Sequence, residues 1–154
     1  MAVYEASVRW RRGAGEVFTD QRYGRAHEWR FDGGAVVPAS SSPHVVRAPF
    51  SDPAAVDPEE AYVAALSSCH MLFFLSLAAA RKLVVEDYED TAIGTMAKDG
   101  GREWVGRVVL RPRVTFDGGA PAPELVEALH HEAHERCYIA NSVRTEIIIE
   151  GTVR

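Results

Sequence analysis

Cysteine is scarce in this chain, which contains only Cys69 and Cys137 among 154 residues. Two thiols are too few for the disulfide framework that stabilises small secreted domains. The chain also lacks a C-x-x-C motif, which excludes the thioredoxin arrangement. A chain of this length removes roughly 68–70% of its unfolded surface from water on folding. We therefore expect one domain over residues 1–154, stabilised by a hydrophobic core.

A basic excess is also absent, since 17 basic and 22 acidic residues give a formal charge of −5. A dedicated nucleic-acid binder normally shows the opposite balance, so we expect no nucleic-acid partner. The N-terminal residues Met1–Glu5 do not resemble a secretory signal, since no basic residues precede an apolar run. The default expectation is a cytoplasmic, reducing compartment in which both thiols begin free.

Only one long apolar run occurs, over residues 61–80. It raises the question of a membrane span. Polar side chains interrupt it, among them Ser67, Cys69 and His70, and its N-terminal flank is acidic. We expect no membrane partner and predict instead a helix buried in the core of the protein.

Hydrophobic periodicity and turn residues predict an α+β domain with antiparallel sheet. Asp57, Pro58 and Glu60 form a strong helix start with a capping box. A break at Pro112 predicts a bulge or an edge position. The predicted strands are 3–10, 27–31, 35–37, 91–98, 104–116 and 143–153, and the predicted helices are 58–83 and 124–137.

The two thiols lie on the two predicted helices. Both helices bury apolar faces in one small core, so Cys69 and Cys137 can meet. In the simplest interpretation each is a buried small hydrophobe. A reactive cysteine instead requires a thiolate, and a thiolate in an apolar core requires a positive partner, best an arginine. The arginines near predicted strand faces are Arg9, Arg25 and Arg30.

A second pattern suggests a metal. His130, His134 and Cys137 recur at i, i+4 and i+7, a spacing that suits zinc, with Cys69 or His70 as a fourth ligand. The alternative is a polar histidine cluster on a solvated or interface face.

Three segments together resemble the OsmC/Ohr family of thiol peroxidases, and its OsmC-like branch in particular. Residues 57–69 resemble that family's N-P-E-x-L-x-A-A-x-x-x-x-C helix start, with Glu59 ten residues before Cys69. Residues 134–137 resemble its second helix, which ends in cysteine. Residues 29–33 resemble the strand that supplies its active-site arginine.

This resemblance implies antiparallel sheets wrapped around long buried central helices in an intertwined homodimer. It implies a peroxidase that reduces organic hydroperoxides in oxidative or osmotic stress. Cys69 would be the peroxidatic thiol and Cys137 the resolving thiol, with Arg30 and Glu59 completing the site. No cofactor or metal is implied, and the other partner is an external dithiol reductant.

Helix geometry adds a constraint on this site. Glu59 and Cys69 are ten residues apart, roughly 15 Å along a helix axis, and cannot touch within one straight helix. We therefore expect Glu59 to act through Arg30 or from a partner subunit, at a dimer interface. A non-catalytic binding or stress protein on the same fold is the remaining alternative.

Overall fold

The computed structural model describes residues 1–153 as two compact units, Met1–Ala61 and the chain from Tyr62 onward. The first unit contains one antiparallel sheet in the order β1-β2-β3. Its strands are β1 (Ala6–Arg9), β2 (His27–Phe31) and β3 (Val36–Ala39). The bounds of β2 are those predicted, whereas β1 is shorter than the predicted strand. A long loop, residues 40–57, connects β3 to the first helix.

The loop after β3 is held to the sheet by hydrogen bonds. The N–H of Ser40 donates to the Val56 carbonyl, and the N–H of Val56 donates to the Pro38 carbonyl. The Ser40 hydroxyl accepts from the N–H of Asp52 at 3.0 Å. Because Ser40 is fully buried, these bonds compensate the cost of removing its polar groups from water.

The first helix, α1, spans Pro58–Ala80. The predicted capping box is present, since the N–H of Glu60 donates to the Asp57 carboxylate at 2.8 Å and the N–H of Asp57 donates to the Glu60 carboxylate at 3.3 Å. The helix ends before the predicted residue 83 because Lys82 adopts a left-handed conformation with a φ of 60°.

The expectation that α1 is buried on all sides is wrong for the single chain. Only five of its residues are buried: Leu66, His70, Phe74, Leu77 and Ala78. Leu72 remains 63% exposed. By length and composition α1 could cross a membrane, a test that the core helices of soluble proteins also pass. In this chain one face packs into the core and another has no cover.

The second unit contains two further sheets, in the orders β4-β7-β9 and β5-β6-β8. The strands are β4 (Val85–Asp90), β5 (Ile93–Asp99), β6 (Arg102–Leu110), β7 (Pro112–Phe116), β8 (Glu146–Ile149) and β9 (Thr152–Val153). Pro112 begins a new strand in a different sheet and is not a bulge within one strand, because proline cannot donate to a continuing ladder.

The prediction of purely antiparallel sheets is also wrong in this unit. Strand β8 pairs parallel to β6, and β9 pairs parallel to β7. A parallel pair needs a long crossover connection. The second helix, α2 (Pro123–Arg136), lies between the paired strands in the sequence and supplies that length.

The largest cluster of buried residues joins α1, β7 and α2. It is centred on Phe74, Val114 and Leu129, which are all fully buried. A smaller cluster packs Leu66 of α1 against Val108 and Leu110 of β6. Each such side chain contributes about 1.5–3 kcal/mol of burial free energy. These two clusters fix the position of α1 against the strands and α2, and so position Cys69 relative to Cys137.

Candidate active site

Cys137 lies where α2 ends. It caps the helix with an extended backbone, and its N–H donates to the His134 carbonyl. The chain then turns back, so that the Cys137 sulfur accepts the N–H of Ala140 at 3.4 Å. The Asn141 side-chain amide donates to the carbonyls of Glu135 and Cys137 at 2.8 and 3.0 Å. Asn141 thereby satisfies carbonyls that the helix end leaves without partners. Sequence reasoning did not identify this role of Asn141.

The structure brings the two cysteines together. The thiols of Cys69 and Cys137 are free, and they lie close enough for Cys69 to influence the pKa of Cys137. Cys69 is partly exposed, whereas Cys137 is only 1% exposed. Burial, followed by the interaction with Cys69, raises the pKa of the Cys137 thiol well above its ordinary value. Cys137 therefore keeps its proton at neutral pH.

The side chains beside the thiols have defined partners. The Ser67 hydroxyl donates to the Asp90 carboxylate, and the Ser68 hydroxyl donates to the Ala65 carbonyl of its own helix. One turn after Cys69, Phe73 meets Tyr138 edge-to-face with ring centroids 5.1 Å apart. The thiols therefore have both bonded polar groups and an aromatic pair close to them along the helix.

The other predicted site residues belong to the first unit. Arg30 is about half exposed and donates through Nε and Nη2 to the Glu28 carboxylate, at 3.0 and 2.8 Å. Arg25 instead donates to the carbonyls of Gln21 and Tyr23 and lies over the Tyr23 ring. Glu59 lies in the first turn of α1 and is partly exposed. Of the three candidate arginines, Arg25 has a guanidinium that is already hydrogen-bonded to carbonyls of its own loop.

The histidines are not arranged as the sequence suggested. His130 is only 6% exposed, so it does not belong to a solvated cluster, whereas His131 is exposed. The His130 Nδ1 lies 3.0 Å from Nε2 of His70, which is 1% exposed. The two rings stack with centroids 5.3 Å apart, and His130 also stacks on Phe74. Within residues 1–153, no three His, Cys, Asp or Glu side chains are grouped to hold a metal. The predicted zinc ligands His130, His134 and Cys137 are thus not brought together as a metal centre.

This pair of histidines has an energetic cost. Neither His70 Nδ1 nor His130 Nε2 has a hydrogen-bond partner. Only one proton fits between the facing nitrogens of two neutral rings, so either tautomer leaves one donor and one acceptor buried without a partner. Space for His130 depends on Gly151, where a Cβ would lie 2.6 Å from Nε2. Burial lowers the pKa of His70 to about 3 and that of His130 to about 4.

These pKa values predict acid sensitivity. Below pH 6.5 the unfolded chain binds protons at both histidines, whereas the folded chain does so only near pH 4 and pH 3. Stability is therefore lost as pH falls from 6.5 toward 4, by about 2 kcal/mol per histidine at pH 5. Urea unfolding measured from pH 7 to pH 5 tests this expectation.

Matched variants separate the pair from the other titrating groups. We expect the double variant His70→Leu/His130→Leu to lose most of this slope and the control His131→Leu to keep it. An unchanged slope in the double variant would show that other groups cause the acid sensitivity.

Comparisons with known proteins agree on the family. The family model for OsmC-like proteins matches residues 51–151. A solved OsmC-like protein of unknown function from Vibrio cholerae is 53% identical, with a TM-score of 0.95 over 99% of this chain and 100% of that one. No curated protein matches the chain.

More distant structures share the fold at low identity. An organic hydroperoxide resistance protein from Elizabethkingia anophelis is 15% identical, with a TM-score of 0.67 over 99% of this chain and 96% of that chain. The organic hydroperoxide resistance protein OhrB of Bacillus subtilis is also 15% identical, with a TM-score of 0.62 over 99% of this chain and 98% of that chain. The family model covers most of the described residues, and the Vibrio cholerae structure is similar over the full length. The chain therefore belongs to the OsmC-like protein family.

Proposed function

We propose that the protein is a cysteine-dependent peroxidase that reduces organic hydroperoxides to alcohols, as part of stress defence. The observation that carries this proposal is the closeness of a partly exposed thiol, Cys69, to a buried thiol, Cys137. Once a peroxide has oxidised one of two neighbouring thiols to a sulfenic acid, the other can attack it and form a disulfide without rearrangement of the fold. Two distant relatives with this fold are named as organic hydroperoxide resistance proteins.

The first step takes place at the more accessible sulfur. The Cys69 thiolate attacks one oxygen of the peroxide, an S–O bond forms, and the O–O bond breaks. The leaving alkoxide takes up a proton and departs as the alcohol. Sulfur is oxidised to a sulfenic acid, and the peroxide is reduced. Cys69 is suited to this step because Cys137 is almost wholly buried.

The second step uses the neighbouring thiol. Cys137 gives up its proton and attacks the Cys69 sulfenic acid, so that an S–S bond forms and water leaves. The high pKa of Cys137 keeps this thiol protonated until Cys69 has been oxidised. An external dithiol then reduces the disulfide by two successive exchanges and returns both cysteines to the thiol form.

We assign Arg30 as the cation of the site and Glu59 as the acid that orients it. The Arg30–Glu28 pair is solvent-exposed, and such pairs contribute only about 0–1 kcal/mol. Recruiting this guanidinium to a thiolate and a developing alkoxide therefore costs little, and its charge would stabilise both. The Glu59 carboxylate makes no hydrogen bond or ion pair within residues 1–153 and can accept one from Arg30.

We further propose that the protein is a homodimer. Helix α1 has a mean hydropathy of 1.8 over its most apolar window, yet only 28% of that window is buried. The first unit also exposes large apolar side chains, including Val8, Phe31 and Val36. Scattered apolar residues are normal on a surface, but an apolar helix left half uncovered is typical of an interface. A second copy of the chain would cover it.

The reaction sequence predicts different outcomes for the two cysteine variants. Cys69→Ser should abolish consumption of cumene hydroperoxide, because the attacking sulfur is gone. Without an external dithiol, Cys137→Ser should complete one oxidation and then stop with a sulfenic acid that dimedone labels. Peroxide consumption and dimedone labelling after one equivalent of peroxide, measured without a dithiol because a dithiol would itself reduce the sulfenic acid, distinguish the two. Equal activity of the wild type and Cys69→Ser would refute the enzymatic assignment and support a non-catalytic protein.

Two arginines on neighbouring strands of the first sheet, Arg30 and Arg9, provide a test of the arginine assignment and its control. We expect Arg30→Gln to lower the rate of Cys69 oxidation by about 10²–10³, the range for loss of one charge-stabilising donor. Arg9→Gln, on neighbouring strand β1, should change this rate by less than about threefold, because surface substitutions away from a site have small effects. The reverse pattern would assign the role to Arg9.

A charged side chain placed on the exposed face of α1 tests whether that face forms the proposed dimer interface. Leu72→Glu places a carboxylate on the exposed face of α1, and sedimentation equilibrium should show a shift from dimer to monomer. Val84→Glu changes an exposed valine outside α1 and should leave the dimer intact. A wild-type monomer at all concentrations, or an unaffected Leu72→Glu dimer, would refute the proposal.

A further inference from the structure

A concave site separate from the thiols lies in the second unit, on the outside of the smaller buried cluster. It is an open hollow of about 310 Å³. This volume lies at the lower end of the range for small-molecule sites, roughly 300–1,000 Å³. Its six lining residues come from α1, β6 and the segment before β8: Tyr62, Trp104, Val105, Val143, Arg144 and Thr145.

The hydroxyl protons of the lining are already used. The Thr145 hydroxyl donates to the Val105 carbonyl at 2.7 Å. Its oxygen lies 2.6 Å from the Tyr62 hydroxyl. Since the Thr145 proton is committed to Val105, Tyr62 is the donor in this contact. Neither hydroxyl has a proton left for a ligand, so the hollow presents apolar surface with one exception.

That exception is Arg144. Its guanidinium lies over the Trp104 ring, 4.1 Å from the ring centroid. Two other arginines of the unit have acidic partners, since Arg107 pairs with Glu146 and Arg111 pairs with Glu150. Within residues 1–153 Arg144 has no acidic partner. A stacked guanidinium keeps its in-plane N–H groups available, and their geometry matches a carboxylate.

We propose that this hollow binds a small carboxylate with an apolar, aromatic body. The carboxylate accepts hydrogen bonds from Arg144, and the body packs against Trp104 and the valines. The site is distinct from the thiols, because Tyr62 precedes Cys69 by two helical turns, roughly 10 Å along α1. The proposal therefore does not depend on peroxidase activity.

Titration calorimetry with three probes tests the recognition chemistry. We expect 2-naphthoate to bind, 2-naphthamide to bind at least tenfold more weakly because it lacks the charge, and acetate to show no measurable binding because it lacks the apolar body. Failure of 2-naphthoate to bind, or equal affinity for the acid and the amide, would overturn the proposal.

Variants and spectra locate the site. Arg144→Gln should weaken 2-naphthoate binding at least tenfold, whereas the control Arg107→Gln, which lies outside the hollow, should bind as the wild type does. Of the three tryptophan indole N–H signals in an NMR spectrum, that of Trp104 should shift on binding. Unchanged affinity in Arg144→Gln, or shifts confined to Trp10 or Trp29, would place the binding elsewhere and refute the assignment. Thermal unfolding of each variant confirms that it is folded.

Discussion

The closeness of two thiols is the constraint on which the proposed function depends. It arises because α1 and α2 pack through one apolar cluster, which places the thiol in the middle of one helix near the thiol at the end of the other. The two cysteines differ in exposure, and this difference gives each a separate chemical role. The partly exposed sulfur of Cys69 is accessible to a substrate. The buried sulfur of Cys137, whose pKa is raised, stays protonated and is available for the second step.

The same core contains an element that opposes stability. His70 follows Cys69 directly in α1, and its ring is buried against His130 of α2 with two nitrogens left without partners. An apolar pair of similar volume would avoid that desolvation cost of about 1–3 kcal/mol per unpaired group. The histidines and the thiols connect the same two helices, so the polar and reactive groups of the core are concentrated along one helix contact.

Local signals in the sequence predicted much of the structure. The helix start at Asp57–Glu60 and the strand His27–Phe31 follow from capping chemistry and alternation. A shared apolar core allowed Cys69 and Cys137 to meet but could not show that they do. The parallel pairing of β8 with β6 and of β9 with β7 could not be predicted. Their β-forming residues favour strands but carry no information on strand direction. The His70–His130 pair was missed because i, i+4 spacing in α2 cannot show which residue of α1 will face it.

The exposed face of α1 illustrates a limit of reasoning from one chain. Hydropathy identifies the helix as one that must be covered, but not which surface covers it. The roles of Arg30 and Glu59 could not be predicted from spacing alone, because both residues belong to the first unit and Cys69 belongs to the second. The proposed function depends most on the chemistry of the two cysteine sulfurs.

Intact and peptide mass spectrometry of the wild-type protein after one equivalent of cumene hydroperoxide tests that chemistry directly. The account predicts loss of two hydrogens and an intramolecular Cys69–Cys137 disulfide, and a stable oxygen adduct on Cys69 with Cys137 still a free thiol would contradict it.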